Sequence, residues 1–233
     1  MAVSLSQDPV GIKEILGGED THSKNQEAFQ LPSRLIAKIF LFRTIFRGSG
    51  WAFANDNDFK HVSDSPEFWN EKNAQFYKKY AGLDKWHHSL AQLCASKKPI
   101  VGFSGREWLV VPKFNERSKQ EELPWPTFTN FPVQGSGADL MMLARISMLK
   151  RMKTRNMKSI LISTVHDSIV ADCPDEEVEE IHLLFHEVFS DLQKNVKKVF
   201  NYDLPVPFPC ETKFGVNMKE MEKFKQQPSM EKK

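Results

Sequence analysis

Ser159-Ile160-Leu161-Ile162-Ser163-Thr164-Val165-His166-Asp167-Ser168-Ile169-Val170-Ala171 is the stretch that decides how this chain is read. Two short apolar runs, Ser159-Ile160-Leu161-Ile162 and Ile169-Val170-Ala171, flank a polar centre. The pattern predicts two β-strands meeting at a tight turn, with the Asp167 carboxylate at its tip. Asp is common in turns because its side chain bonds nearby backbone, so the hairpin alone is a weak functional signal. What surrounds it gives it meaning.

Around the hairpin the chain reads as α+β. Residues 10–30 look helical and surface-facing. Residues 31–47 form a strong helix candidate, ended by Gly48-Ser49-Gly50. Aromatic-rich helical patterns fill 66–97. Ile100-Val101-Gly102-Phe103 and Trp108-Leu109-Val110-Val111 read as a hairpin around Ser104-Gly105-Arg106-Glu107. A polar surface insertion is expected at 115–122. Asn130-Phe131-Pro132-Val133-Gln134-Gly135-Ser136-Gly137 reads as a glycine-containing turn leading into a helix over about 138–152. After the His-Asp hairpin, Pro174 and the acidic run 175–180 open another helix, where Pro and acids favour an N-terminus. Pro205, Pro207 and Pro209 interrupt a last extended segment at 206–212, and a polar, frayed end is expected from 218 to 233.

Composition sets broad limits. The 233 residues are 40% hydrophobic and 27% charged, an ordinary globular balance. No apolar run is long enough for a membrane span, and no secretory leader pattern opens the chain. Cys94, Cys173 and Cys210 are widely spaced and odd in number, which fits a reducing compartment rather than a disulfide framework or zinc site. The expectation is a cytoplasmic protein, in the host cytoplasm if the source is viral, with no membrane partner. Net charge is only +2, but cations cluster without acids at 34–47 (Arg34, Lys38, Arg43, Arg47) and at 145–158 (Arg145, Lys150, Arg151, Lys153, Arg155, Lys158). Such runs suit nucleic acid or phosphate; they also suit solvated helix faces.

The helix at 31–47 is more specific. Arg34, Lys38, Phe42 and Phe46 are each four apart, which makes one slowly spiralling stripe about 18 Å long. Two cations lie at one end and two aromatics at the other. Phosphates need Arg and Lys, whereas a sugar and base need flat apolar surface, so the order suits a nucleoside triphosphate. The same spacing also fits an ordinary amphipathic helix, with Ile36, Ile39, Phe40 and Ile45 as its core side.

Three segments together carry a family resemblance. Arg34-x-x-x-Lys38-x-x-x-Phe42-x-x-x-Phe46 resembles the substrate-binding fingers helix of family A DNA polymerases, the DNA polymerase I type. Val165-His166-Asp167-Ser168 resembles that family's palm hairpin, and the segment from Asn130 to Asp139 resembles its helix following the fingers. They occur in the family's order, and the likeness runs from about residue 4 to 215. It implies fingers helices plus a partial palm with an antiparallel β hairpin. Residues 1–30 would be palm, 31–100 fingers, 101–217 palm with the second metal-binding motif, and 218–233 a polar tail. The flavour of Phe40-Leu41-Phe42-Arg43 is phage-like.

The resemblance also implies roles. Arg34 and Lys38 would hold the phosphates of an incoming dNTP, Lys38 also protonating the leaving pyrophosphate. Phe42 would pack on the sugar, and Phe46, where the family usually has Tyr, would lie near the templating base. His22, in Gly18-Glu19-Asp20-Thr21-His22, would lie near the phosphates. Asn130 and Gln134 would touch the minor groove near the primer end, where every base pair shows acceptors. Arg106 would touch primer–template DNA, and His166 would bond the primer end. Asp139 matches a structural residue and is left out of the site. Asp167 would hold Mg²⁺, one of two ions that assist phosphoryl transfer. Many relatives carry Glu beside it, where this chain has Ser168.

One departure is serious. The family's other indispensable Asp precedes the segment resembling Ser4-Leu5-Ser6-Gln7-Asp8, which places it upstream of Met1. Asp8, Glu14 and Asp20 fall after it, on what is expected to be another element. The second metal carboxylate and the thumb are therefore expected from outside these residues: from a second polypeptide, or from a longer chain of which this is a fragment. Two alternatives stay open, a fragment of a single-subunit RNA polymerase and an inactive DNA-binding remnant. Leu41-Phe42, in place of Met-Thr, and the run Gln134-Gly135-Ser136-Gly137-Ala138-Asp139 favour DNA synthesis over RNA synthesis.

Overall fold

A computed structural model describes residues 1–224. The chain divides into two compact units, Met1–Gly137 and Ala138–Lys233, and each is taken by itself.

The first unit begins with three short helices, α1 (Ala2–Ser6), α2 (Pro9–Leu16) and α3 (Thr21–Ala28). Asp8 and Asp20 accept backbone N–H bonds at the starts of α2 and α3, the standard role of an N-cap carboxylate. Helix α4 (Arg34–Ile45) follows, capped by Ser33, whose hydroxyl accepts from Ile36 N at 3.2 Å. Its inner face, Ile36, Ala37, Phe40, Leu41 and Thr44, is buried. Phe40 is fully enclosed, with Phe53, Trp69, Phe29 and Phe76 rings 5.4 to 6.3 Å away. The aromatics at 53, 69 and 76 come from α5 (Gly50–Ala54) and α6 (Pro66–Lys79), so the core that holds α4 is largely a box of rings. Residues 10–30 are less surface-facing than expected, because Glu14 and Asn25 are buried under α6 and its end. Tyr80 OH donates to Glu14 at 2.7 Å and lies 3.0 Å from Asn25 Oδ1, and Lys79 Nζ lies 2.9 Å from Glu14.

Helix α7 (Ala81–Ala95) leads into two small hairpins. Strands β1 (Ile100–Val101) and β2 (Glu107–Trp108) pair Ile100 with Trp108, a shorter ladder than the expected one. The expected polar insertion is a hairpin, β3 (Lys113–Asn115) with β4 (Gln120–Glu122).

Helix α8 (Trp125–Thr154) corrects the sequence reading: there is no turn at 130–137, and the helix runs through it. Pro132 lies inside the helix, and Gly135 is there for space rather than for bending. A Cβ on Gly135 would lie 2.2 Å from the Trp108 ring. Glycine permits that close approach of helix backbone to indole.

The second unit holds the rest of α8 and the hairpin of β5 (Ile160–Val165) and β6 (Ser168–Asp172). The pairing is antiparallel, with an irregularity between Leu161 and Ser163. After a 3₁₀ turn at Asp175–Glu177 come α9 (Val178–Ser190) and α10 (Leu192–Phe200). Ala144, Met148 and Met152 of α8 bury against Ile181, Leu184 and Val188 of α9. The basic run of 145–158 is partly spent within this unit. Arg151 bonds Glu187 and, at 2.5 Å, Asp191; Arg155 bonds Glu187 at 2.5 Å, and Lys158 pairs with Glu176 at 3.0 Å. Strands β7 (Lys213–Phe214) and β8 (Glu222–Lys223) pair, so 218–224 is tied back rather than frayed. Residues 225–233 of the expected tail lie outside the described residues. No described helix is long and apolar enough to cross a membrane.

Candidate nucleotide and metal site

The candidate residues fall in both units. In the first, α4 presents Arg34, Lys38 and Phe42 on its exposed side, opposite the buried face. Phe42 is half exposed, a large ring left open to solvent. Phe46 is the C-cap residue, with φ −105°, so the stripe's last member sits just past the helix and is half-buried. Lys38 has no hydrogen-bond partner among the described residues.

Helix α3 packs beside α4 and brings His22 to this face. The His22 ring centroid is 6.1 Å from that of Phe42. Burial, and then the nearby Arg34 charge, lower the His22 pKa, with Asp20 opposing and Lys38 adding to the effect. Its Nδ1 is buried without a partner among the described residues. Arg34 is gripped by Asp20 through Nε at 2.6 Å and Nη2 at 3.1 Å. Hydrogen bonds from Arg34 and then Ser23 hold the Asp20 carboxyl well below the usual carboxylate range. This pairing escaped the sequence reading. Its members are fourteen residues apart on different helices, and only the packing of α3 on α4 joins them.

On α8, Asn130 and Gln134 are four residues apart and share a face, half-buried and exposed respectively. Arg106 is exposed in the β1–β2 connection, beside Gly105 at φ 83°. Asp139 is buried within α8.

In the second unit, the β5–β6 hairpin turns over two residues, His166 and Asp167, with Val165 paired to Ser168. His166 has φ 51°, the left-handed region that costs a non-glycine residue. The Ser168 hydroxyl donates to Val165 O at 2.8 Å and so closes the turn. His166 and Asp167 are exposed at the tip, and Asp167 has no hydrogen-bond partner among the described residues. Its oxygens are free for a hard cation, so the donor chemistry fits Mg²⁺ as a single carboxylate ligand. Among the described residues no group of three or more His, Cys, Asp or Glu is placed to hold a metal. The early acids are otherwise committed. Asp8 is buried and accepts from Gly11 N and Gly82 N, each at 2.8 Å, and Glu14 is held by Tyr80 and Lys79.

Comparison with known proteins identifies the family. Residues 1–220 match the family model described as DNA polymerase family A. DNA polymerase I of Aquifex aeolicus is 24% identical over 215 residues, covering 88% of this chain and 35% of that protein. The DNA polymerase of Bacillus phage SP01 is 22% identical over 191 residues, covering 79% of this chain and 20% of its own length. The POL domain of Pol1 from M. smegmatis, solved in complex with DNA primer-template and dNTP, superposes with a TM-score of 0.71 at 21% identity, over 88% of this chain and 35% of that one. The chain thus spans about a third or less of these relatives.

Proposed function

Since the chain belongs to DNA polymerase family A, we propose that it takes part in template-directed DNA synthesis, joining a dNTP to a primer 3′ end. The observation that carries this is the exposed face of α4. Arg34, Lys38 and Phe42 stand there in the order a triphosphate and sugar require, with His22 beside them. Arg34 binds phosphate as a fork and Lys38 as a point charge. Lys38 also gives its proton to the pyrophosphate oxygen as that group leaves. Phe42 supplies the apolar wall for the deoxyribose, and Phe46 lies toward the templating base. Asn130 and Gln134 test pair geometry in the minor groove, Arg106 grips the primer–template, and His166 steadies the primer end.

Asp167 is the metal carboxylate that this chain contributes. Two Mg²⁺ ions, when bound, lower the pKa of the primer hydroxyl and neutralise the triphosphate. The second carboxylate and the thumb come from polypeptide outside these 233 residues. The test is extension of a labelled primer by this chain mixed with a polypeptide carrying thumb and first Asp. Extension with dNTPs but not rNTPs, absent from the chain alone and abolished by Asp167→Ala, is expected. Equal use of rNTPs, or synthesis surviving Asp167→Ala, would overturn the proposal. Robust extension by the chain alone would remove the need for an outside carboxylate.

A further inference from the structure

Asp20 does three things at one place. It caps α3 by accepting from His22 N at 3.1 Å, it accepts from Ser23 Oγ at 2.7 Å, and it grips Arg34 with both oxygens. The backbone of His22 and the guanidinium of Arg34 therefore share one anchor. A guanidinium carries five N–H donors in a rigid fork. Asp20 engages Nε and one hydrogen of Nη2, so three donors remain, directed away from the carboxylate. The Arg34 side chain is 55% exposed. Without an anchor, a long side chain at such a site samples many rotamers and must be ordered when a ligand binds.

We propose that Asp20 is a positioning residue for the triphosphate: it holds one edge of Arg34 so that the remaining N–H groups face the phosphates. The proposal rests on the reading of the α3–α4 face as the dNTP site. A carboxylate so close also repels a polyanion, and the two effects have opposite signs. Preorganisation predicts that loss of the Asp20 charge weakens phosphate binding. Simple repulsion predicts that it tightens. Asp20→Asn separates them without removing the cap, because Asn serves at a helix N-cap as well as Asp.

Inorganic tripolyphosphate is titrated calorimetrically into the full chain, Asp20→Asn, Arg34→Ala and the double variant. Arg34→Ala is expected to weaken binding. Asp20→Asn is expected to weaken it by about three- to tenfold, the range for ordering one rotamer-rich side chain. In the Arg34→Ala background, Asp20→Asn should add nothing, because its effect passes through Arg34. Binding by Asp20→Asn as tight as wild type or tighter, with Arg34→Ala still weakened, overturns the positioning role and leaves the nucleotide-site reading standing. An Asp20→Asn loss that persists without Arg34 assigns the effect to the folding of α3 and also overturns it. Equal binding by wild type and Arg34→Ala removes the nucleotide-site reading and this proposal with it.

Discussion

Gly135 and Gly137 sit two residues apart in α8, and alanine at the two positions should act in opposite directions. In a helix interior, Ala is favoured over Gly by about 1 kcal/mol, through lower backbone entropy in the unfolded chain. At Gly137 a Cβ meets nothing within 4 Å, so Gly137→Ala should stabilise by nearly that full amount. At Gly135 the new Cβ would lie 2.2 Å from Trp108 Cζ2 and 3.0 Å from Cε2. The ring must retreat by more than roughly 1 Å to reach ordinary van der Waals separation. It has little room, because a Cβ at Gly102 would already lie 2.9 Å from its other edge. Overpacking of this kind costs about 1–3 kcal/mol, which equals or exceeds the propensity gain. Gly135→Ala should therefore be neutral to about 2 kcal/mol destabilising, and the two variants should differ by about 1–3 kcal/mol. Urea unfolding followed by tryptophan fluorescence and far-ultraviolet circular dichroism measures both. If the segment were a glycine turn with positive φ, Gly137→Ala would destabilise. That result, or a Gly135→Ala variant as stable as Gly137→Ala, would refute a continuous helix packed on Trp108.

Other expectations follow from single features. His166→Gly should relieve the left-handed φ of 51° and raise hairpin stability by about 0.5–1 kcal/mol in urea unfolding, while weakening primer-end binding. His87 is fully buried, and burial, then Arg47 and His88, push its pKa down to about 3. The unfolded chain takes up that proton first, so its contribution is complete above the unfolded value near pH 6.5 and declines as pH falls toward about 3, at up to ~1.4 kcal/mol per pH unit. His87→Asn should flatten that slope in melts recorded between these limits. Arg151, clamped between Glu187 and Asp191, should cost about 1 kcal/mol when changed to Ala, and the difference should shrink in 1 M NaCl as screening weakens the pairs.

Some elements were legible because local and global signals agreed. Helix α4 has a Ser cap, a buried face at helical spacing and a glycine-rich end, and each points to the same element. The β5–β6 hairpin declared itself through two apolar runs around a two-residue polar centre. Helix α8 was not legible across 130–137, because Pro132, Gly135 and Gly137 carry turn signals in isolation. What overrides them is tertiary: Trp108, from a distant strand, fills the space that Gly135 leaves. The basic run at 145–158 stayed open between two readings for the same reason. Arg151, Arg155 and Lys158 find their acids on α9, just after its end and in the turn before it, and no pattern within 145–158 encodes that. At the candidate site, the stripe on α4 could be read from its spacing, whereas the anchor at Asp20 could not. It depends on how α3 lies against α4.

The central claim is that the exposed face of α4 handles the triphosphate during synthesis. Single-turnover incorporation of one dNTP by the reconstituted enzyme, with Lys38→Ala against wild type, tests it most directly. Loss of a general acid and phosphate contact predicts a rate lower by about 10²-fold or more, with primer–template affinity unchanged. A Lys38→Ala enzyme that incorporates dNTP at the wild-type rate would contradict the account.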